Sequence, residues 1–140
     1  MDKPVIGLML GDATGIGPEI SAKLLASGAA GKVANVVVIG DRRVLEFGMR
    51  DAGTKLGYRV YPSVDSIRWP VEQLPVLDLG NIDPAHFKRG ESSAESGRLT
   101  GETRKLMIDL AAAGKLDGIC FAPLNKGALH QGGWKYHDEH

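Results

Sequence analysis

The sequence predicts a three-layer α/β/α domain with a mainly parallel sheet. Short apolar runs alternate with amphipathic segments along the 140 residues, and this alternation is typical of βαβ units. The apolar runs are nearly continuous, which indicates strands buried on both faces. Segments rich in glycine and proline separate them. We therefore expect helices on both faces of one sheet, and we treat residues 1–140 as a single α/β domain or a portion of one.

A strand, a glycine-rich turn and a helix follow one another at the start of the chain. Val5 to Leu10 is a continuous apolar run, and Gly11 to Glu19 has the sequence G-D-A-T-G-I-G-P-E. Pro18 suits the first turn of a helix because its φ is fixed and its missing N–H is not needed there. Apolar residues at helical spacing predict a helix from Pro18 to Ala26, which Gly28 ends.

The alternation continues to the last predicted strand. Ala34–Ile39 and Gly118–Ala122 are predicted buried strands, Leu56–Val60 and Val76–Leu79 are further short apolar segments, and Asn81–Arg89 is a polar connector. Helices are predicted from Arg42 to about Ala52 and from a cap at Ser93 or Ser96 to Gly114. On this long helix the apolar face has Leu99, Thr103, Leu106, Met107, Leu110 and Ala111, whereas Arg98, Glu102, Arg104, Lys105 and Asp109 are predicted to face water.

Composition favours a small-molecule partner. Seventeen basic and seventeen acidic side chains cancel, and the longest basic run is Arg42-Arg43, so neither nucleic acid nor an anionic membrane is expected as a partner. Cys120 is the only cysteine, which excludes an internal disulfide and favours cytoplasmic residence. The first apolar run is too short for the core of a signal peptide or for a membrane span.

The turn after the first strand is the first candidate binding site. Its N–H groups would lie at the carboxyl end of a strand, where open α/β sheets bind ligands. The sequence matches neither a Walker loop nor a G-x-G-x-x-G dinucleotide turn. Gly15 and Gly17 could equally serve only a tight turn. Asp12 could bind a substrate hydroxyl or amine, or it could bond N–H groups of its own loop.

The second candidate site follows the last predicted strand. Asn125 and Lys126 offer an amide and a positive charge, which suit a phosphate or carboxylate. A solvated surface lysine is the alternative. In the tail, His137 and His140 would converge on a metal only within a helix, and Gly132-Gly133 indicates a loop. No zinc site is therefore predicted from the tail alone.

Three motifs together resemble the family of 4-hydroxythreonine-4-phosphate dehydrogenases of vitamin B6 synthesis and their relatives acting on 4-phosphorylated sugar acids. They are Gly11–Ile20, where the family has G-D-P-A-G-I-G-P-E; Gly90–Gly97, which leads into the long helix; and Ala122–Lys126, A-P-L-N-K, followed by Ala128-Leu129-His130. The motifs extend nearly from one end of the chain to the other. Members of the family are more than twice as long.

The resemblance implies an isocitrate/isopropylmalate dehydrogenase-like fold with two lobes, a homodimer and a small phosphorylated substrate. It also implies NAD or NADP as cofactor and a divalent metal (Zn, Mg or Co) held by three histidines that lie beyond these residues. The reaction would be oxidation and decarboxylation of the substrate, for which the 140 residues alone are expected to be inactive.

The resemblance also implies the site residues. Asp12, Asn125 and Lys126 would bind substrate, and Lys126 would act in catalysis as well. The family has a substrate-binding histidine in a G-H-T-E segment, and His140 aligns with it if one residue is inserted after Tyr136.

Other readings remain open at this point. Without the inserted residue Glu139 takes the position of the substrate histidine, and His137 is the other imidazole nearby. Loss of phosphate contacts there would favour a dehydrogenase of the same family acting on an unphosphorylated cyclic diol. The other alternative function is a non-catalytic α/β module that binds a phosphorylated metabolite. This hypothesis applies if the chain ends at His140.

Overall fold

The computed structural model describes residues 3–10, 17–80 and 94–121. Within them one sheet contains the strands β1 Val5–Met9, β2 Asn35–Gly40, β3 Tyr58–Val60, β4 Leu74–Asp78 and β5 Gly118–Phe121. The strand order is β3-β4-β2-β1-β5, and every pairing is parallel. The predicted parallel α/β sheet is confirmed.

Helices cover both faces of this sheet. The described helices are α1 Gly17–Ala26, α2 Ala29–Val33, α3 Arg42–Ala52 and α4 Ala94–Ala112, with one 3-10 turn at Val64–Ser66. Leu8 and Val38 share a core cluster with Leu45 of α3. Met9 and Val37 belong to the other cluster, with Met107 of α4. Neighbouring strand residues thus point into opposite layers, as the period of a strand requires. No described helix is long and apolar enough to cross a membrane.

The apolar runs form buried strands except at the edge of the sheet. Met9 of β1 is 2% exposed and Val37 of β2 is fully buried, as predicted. The prediction of a buried strand is wrong for β5, where Cys120 is exposed. Among the described strands β5 pairs with β1 alone. An edge strand on this sheet therefore has one poorly covered face.

The predicted helix ends agree with the structure, and one helix was not predicted. Gly28 has a φ of 76° and Gly114 a φ of 78°, so both adopt the left-handed conformation that glycine tolerates best. The short helix α2 follows Gly28 directly. Ser96 lies inside α4 and is not its cap, which corrects one of the two predicted caps. Ser93, the other, lies outside the described residues, as do Asn81–Arg89.

Arg104 is the exception to the predicted solvent face of α4. Arg98, Glu102, Lys105 and Asp109 are exposed on this face, but Arg104 is only 2% exposed. It lies two helical turns before Ala111, at the border of the apolar stripe. The guanidinium lies over the Phe121 ring, 5.2 Å from its centroid. A long side chain at the border of the stripe has thus been drawn into the core.

Gly48 allows α3 to approach the start of α1 closely. A Cβ atom at Gly48 would collide with the backbone carbonyl group of Pro18. Backbone atoms cannot move aside as the end of a flexible side chain can, so the helices would have to separate. We expect Gly48→Ala to lower the free energy of unfolding by about 1–3 kcal/mol, as overpacking does. Urea denaturation of this chain measures the change.

Gly31→Ala is the matched control. Gly31 lies in α2 with no heavy atom within 4 Å of its would-be Cβ. Alanine should leave stability unchanged there or raise it by up to about 1 kcal/mol through helix propensity. Equal stability of Gly48→Ala and the wild type would show that the two helices tolerate separation.

Tyr58 connects the edge strand β3 to α3. Its hydroxyl donates a hydrogen bond to the carboxylate of Glu46. Partial burial of the phenol, and then its hydrogen bond to Glu46 and that residue's negative charge, raise the pKa of Tyr58 above its ordinary value of 10.0. The folded protein therefore favours the neutral phenol.

This pKa predicts a specific loss of stability in alkali. Because the pKa of Tyr58 is higher in the folded state, the contribution of this residue to the free energy of unfolding is complete below about pH 10. It is lost as pH rises through the folded-state pKa. We expect Tyr58→Phe to lose less stability than the wild type between about pH 9 and pH 11. Urea midpoints across this range test it, with Tyr61→Phe as control. Parallel curves for the wild type and Tyr58→Phe would contradict the assignment.

Candidate active site at the carboxyl edge of the sheet

The order of the strands defines a switch point between β1 and β5. From β1 the chain passes through α1 to β2 on one side, whereas β5 pairs with the other side of β1. Right-handed crossovers in opposite directions lie on opposite faces of a sheet, in agreement with the positions of α1 and α4. Open α/β sheets bind ligands beyond the carboxyl ends of the strands at such a point.

The strand ends that precede both predicted loops lie side by side. Met9 of β1 is paired with Phe121 of β5 in the parallel register. The chain that carries Asp12 leaves the first of these ends, and the chain that carries Asn125 and Lys126 leaves the second. Asp12, Asn125, Lys126 and His140 themselves lie outside the described residues. The structure thus brings together the starting points of the two loops.

The helix that follows the first loop begins where the sequence predicts. Helix α1 starts at Gly17, and Gly17 and Pro18 are buried. Glu19 in the first turn forms an ion pair of 3.5 Å with Lys23. This partly exposed pair contributes little stability. The strand and the helix that border residues 11–16 are therefore confirmed, and anion binding by the loop stays a prediction.

Asp41 follows β2 at the same edge of the sheet, and its carboxylate is already engaged. The side chain is fully buried. It accepts hydrogen bonds from the backbone N–H of Arg43 at 2.9 Å and from Nε and Nη2 of Arg43 at 3.0 and 2.8 Å. Asp41 is thereby the N-cap of α3. A carboxylate paired with a guanidinium and a helix N-terminus is stabilised in its charged form.

The carboxylate of Asp78, at the end of β4, is also engaged in hydrogen bonds. Its Oδ1 accepts hydrogen bonds from the N–H groups of Arg42 and Gly80, each at 3.1 Å. Nη2 of Arg43 also donates to the carbonyl oxygen of Gly80 at 3.4 Å. These contacts join the carboxyl ends of β2 and β4. Two strand-end acids therefore order the edge on this side of β1.

These two acids were not singled out from the sequence. The signal for Asp41 was present, because Gly40-Asp41 at the end of β2 repeats the pattern of Gly11-Asp12 after β1. The pattern could not identify the side chain that pairs with Asp41. Only the structure shows that Arg43 turns back onto Asp41.

The described residues do not fit a metal or the ribose of a dinucleotide. They contain no cluster of three or more His, Cys, Asp or Glu side chains that could hold a metal ion. An acid at the end of the second strand binds the ribose hydroxyl in dinucleotide-binding folds. Asp41 has that position, but its buried carboxylate bonds Arg43 instead. Within residues 3–10, 17–80 and 94–121 we therefore assign no residue to either group.

A cavity lies at the amino ends of the strands, on the side of the sheet opposite the carboxyl edge. Its volume is about 260 Å³, and Lys3, Asn35, Trp69 and Gln73 are among its lining residues. Lys3 and Asn35 lie at the amino ends of β1 and β2. The cavity is thus remote from the switch point, where ligands of open α/β sheets bind. We place the candidate active site at the switch point.

These features define an open parallel α/β domain whose candidate site lies between β1 and β5 at the carboxyl edge. The chain belongs to the family of the pyridoxal phosphate biosynthetic protein PdxA, whose model matches residues 32–140. The family resemblance predicted from the three motifs is confirmed.

Individual relatives agree with this family. The chain is 38% identical over 138 residues, 98% of its length, to a protein named putative 4-hydroxythreonine-4-phosphate dehydrogenase 2 of Rhizobium meliloti. It is 40% identical over 133 residues, 95% of its length, to a D-threonate 4-phosphate dehydrogenase of Cupriavidus necator. It spans 39% and 40% of these two relatives.

A solved structure extends the agreement to the fold. The crystal structure of a 4-hydroxythreonine-4-phosphate dehydrogenase from Burkholderia phymatum superposes on the chain with a TM-score of 0.89 at 36% identity. The match covers 99% of this chain and 42% of that one. The chain thus has the fold of one portion of that protein.

Proposed function

We propose that this chain is the N-terminal portion of an NAD(P)-dependent and metal-dependent dehydrogenase. Its substrate would be a 4-phosphorylated hydroxy acid, either 4-hydroxythreonine 4-phosphate or a 4-phospho sugar acid, which is oxidised and decarboxylated. The observation that carries the proposal is the pairing of Met9 with Phe121, because the loops with the family motifs leave from these two strand ends. The names of the relatives support the phosphorylated substrate.

The whole enzyme would be a cytoplasmic homodimer with two lobes. Support for a longer polypeptide is that the chain spans about two fifths of its relatives. The described residues lack a cluster of metal ligands, so the metal histidines would come from the remaining part. The single cysteine, Cys120, supports cytoplasmic residence.

In this proposal the residues of the two loops bind and orient the substrate. The Lys126 ammonium and the Asn125 amide would hold a carboxylate or phosphate group by charge-assisted and neutral hydrogen bonds. Asp12 would accept a hydrogen bond from a substrate hydroxyl or amine. Lys126 would also transfer a proton to or from the substrate. When bound, the nicotinamide would accept the hydride and the metal would polarise the hydroxyl.

A substrate panel tests the reaction. The polypeptide at the length of its relatives is incubated with NAD or NADP and either 4-hydroxythreonine 4-phosphate, a 4-phosphorylated sugar acid or an unphosphorylated cyclic diol. We expect reduced cofactor and carbon dioxide with a phosphorylated acid. Turnover of the diol alone would favour the unphosphorylated alternative. Binding of phosphorylated acids without any turnover would favour the non-catalytic module.

Lys126→Ala tests the assignment within the site. We expect it to weaken substrate binding by about 1–3 kcal/mol, the range for a lost charge-assisted hydrogen bond. Michaelis constants and turnover of the full-length variant measure the loss. Lys115→Ala is the control, because Lys115 is exposed and pairs with Asp65 at 2.8 Å. If Lys126→Ala behaves like the wild type, Lys126 is a solvated surface residue.

His140 is the substrate histidine in this proposal, and His137 is a loop residue without a ligand. A protonated imidazole binds a phosphate better than a neutral one, so affinity should fall as pH rises through the pKa of this histidine. That pKa is ordinarily about 6.5 and is raised by a bound anion. His140→Asn should weaken binding and remove the pH dependence, and His137→Asn should do neither. The test is the substrate affinity of both variants across neutral pH. The reverse pattern would assign the substrate-binding role to His137.

A further inference from the structure

Arg104 is a buried cation next to the candidate active site, and neither the family motifs nor the proposed reaction gives it a role. Helix α4 ends at Ala112, shortly before β5 begins at Gly118, so it runs antiparallel to the strands. Met107 lies near Gly7, in the middle of β1. Arg104 is one turn closer to the start of the helix and therefore closer to the carboxyl edge. Its guanidinium reaches Phe121, the last residue of β5.

The burial of Arg104 contrasts with the other cations of this helix. Arg98 is about half exposed and pairs with Glu102 at 3.0 Å. Lys105 is 66% exposed at its side chain and pairs with Asp109 at 3.2 Å. Arg104 is only 2% exposed, and its guanidinium carries a positive charge. A buried charge is costly to desolvate and often stabilises a fold less than an apolar residue of the same volume.

The geometry of the contact restricts how Arg104 can act. The guanidinium carbon of Arg104 lies over the Phe121 ring, 5.2 Å from the ring centroid. A guanidinium stacks through its faces and donates hydrogen bonds in its own plane. The ring therefore restricts the positions that the guanidinium can adopt beside it. A lysine ammonium has neither a plane to stack nor a fixed fork.

The strand end under Arg104 needs support. Strand β5 comprises only Gly118–Phe121, and among the described strands it pairs with β1 alone. Met9 and Phe121 form the last pair of this register. The chain then continues through Ala122 to Asn125 and Lys126. Any displacement of Phe121 is passed on to the residues that directly follow it.

We propose that Arg104 is a positioning residue that fixes the end of β5, and through it the segment with Asn125 and Lys126. The guanidinium lies over the Phe121 ring and restrains this ring at the end of the strand. The role concerns orientation of groups that touch the substrate and not contact with the substrate itself. The kinetic part of this inference rests on the proposed function. The support of the end of β5 by Arg104 does not depend on the proposed function.

The main test uses Arg104→Met in the full-length protein, with Arg104→Lys and the control Lys105→Met. Methionine can still pack on Phe121 but has no charge and no donors. We expect Arg104→Met to keep the melting temperature and the Michaelis constant for the cofactor, and to lower kcat/KM for the phosphorylated acid at least tenfold. Lys105→Met should match the wild type. Full activity in Arg104→Lys would show that charge suffices and would overturn the positioning role.

A double-mutant cycle separates positioning from an independent contribution. If Arg104 acts through Asn125 and Lys126, adding Arg104→Met to the variant Asn125→Ala/Lys126→Ala should cause no further loss. If the losses multiply, Arg104 acts independently of these two residues and the proposal is wrong. An unchanged kcat/KM with a lowered melting temperature would leave Arg104 a purely structural role and would also overturn it.

Hydrogen–deuterium exchange tests the end of β5 without any activity. Amide exchange over Gly118–Lys126 should rise in Arg104→Met and stay unchanged in Lys105→Met. Phe121→Leu, which removes the stacked ring, should also raise it and provides the same test if Arg104→Met does not fold. Unchanged exchange in both variants would refute the support of β5. An inactive wild type with raised exchange in the variants would refute the proposed function alone.

Discussion

The parallel pairing of β1 on both its sides is the constraint on which the rest of this domain depends. β1 lies between β2 and β5, so its backbone hydrogen bonds are satisfied in both directions while Leu8 and Met9 fill opposite layers of the core. A strand buried in this way requires helices above and below the sheet. Because its neighbours are reached by crossovers in opposite directions, the same pairing creates the switch point.

The charged residues along the carboxyl edge divide into two groups. On the β2 and β4 side, Asp41 and Asp78 are used to cap α3 and to join strand ends, with Arg43 between them. Their carboxylates accept hydrogen bonds from nearby backbone N–H groups and, at Asp41, also from the Arg43 guanidinium. On the β5 side, Arg104 places a buried positive charge on Phe121. The first group holds the strand ends together, and the second places a positive charge beside the last residue of β5.

The approach of α1 to α3 shows how this edge is also fixed from one face of the sheet. Gly17 and Pro18 begin α1 directly after the first loop, and Gly48 lets α3 contact that same point. Asp41 caps the N-terminus of α3 at the carboxyl edge. The start of α1 is therefore held by packing with little space to move. Residues 11–16 are thus bordered by a paired strand at one end and a packed helix at the other.

The sequence by itself determined the family and, except for the short helix α2, the kinds of elements and their order. Apolar runs, helical periodicity and glycines such as Gly28 and Gly114 act through neighbours along the chain, so they could be read without a structure. Only the tertiary structure decided which strands are neighbours, and that pairing explains why Cys120 is exposed and Arg104 is buried. It also decided that the carboxylate of Asp41 is occupied by its own helix. These outcomes depend on groups distant in sequence, and local pattern cannot specify them because side-chain partners and burial are set by packing between elements.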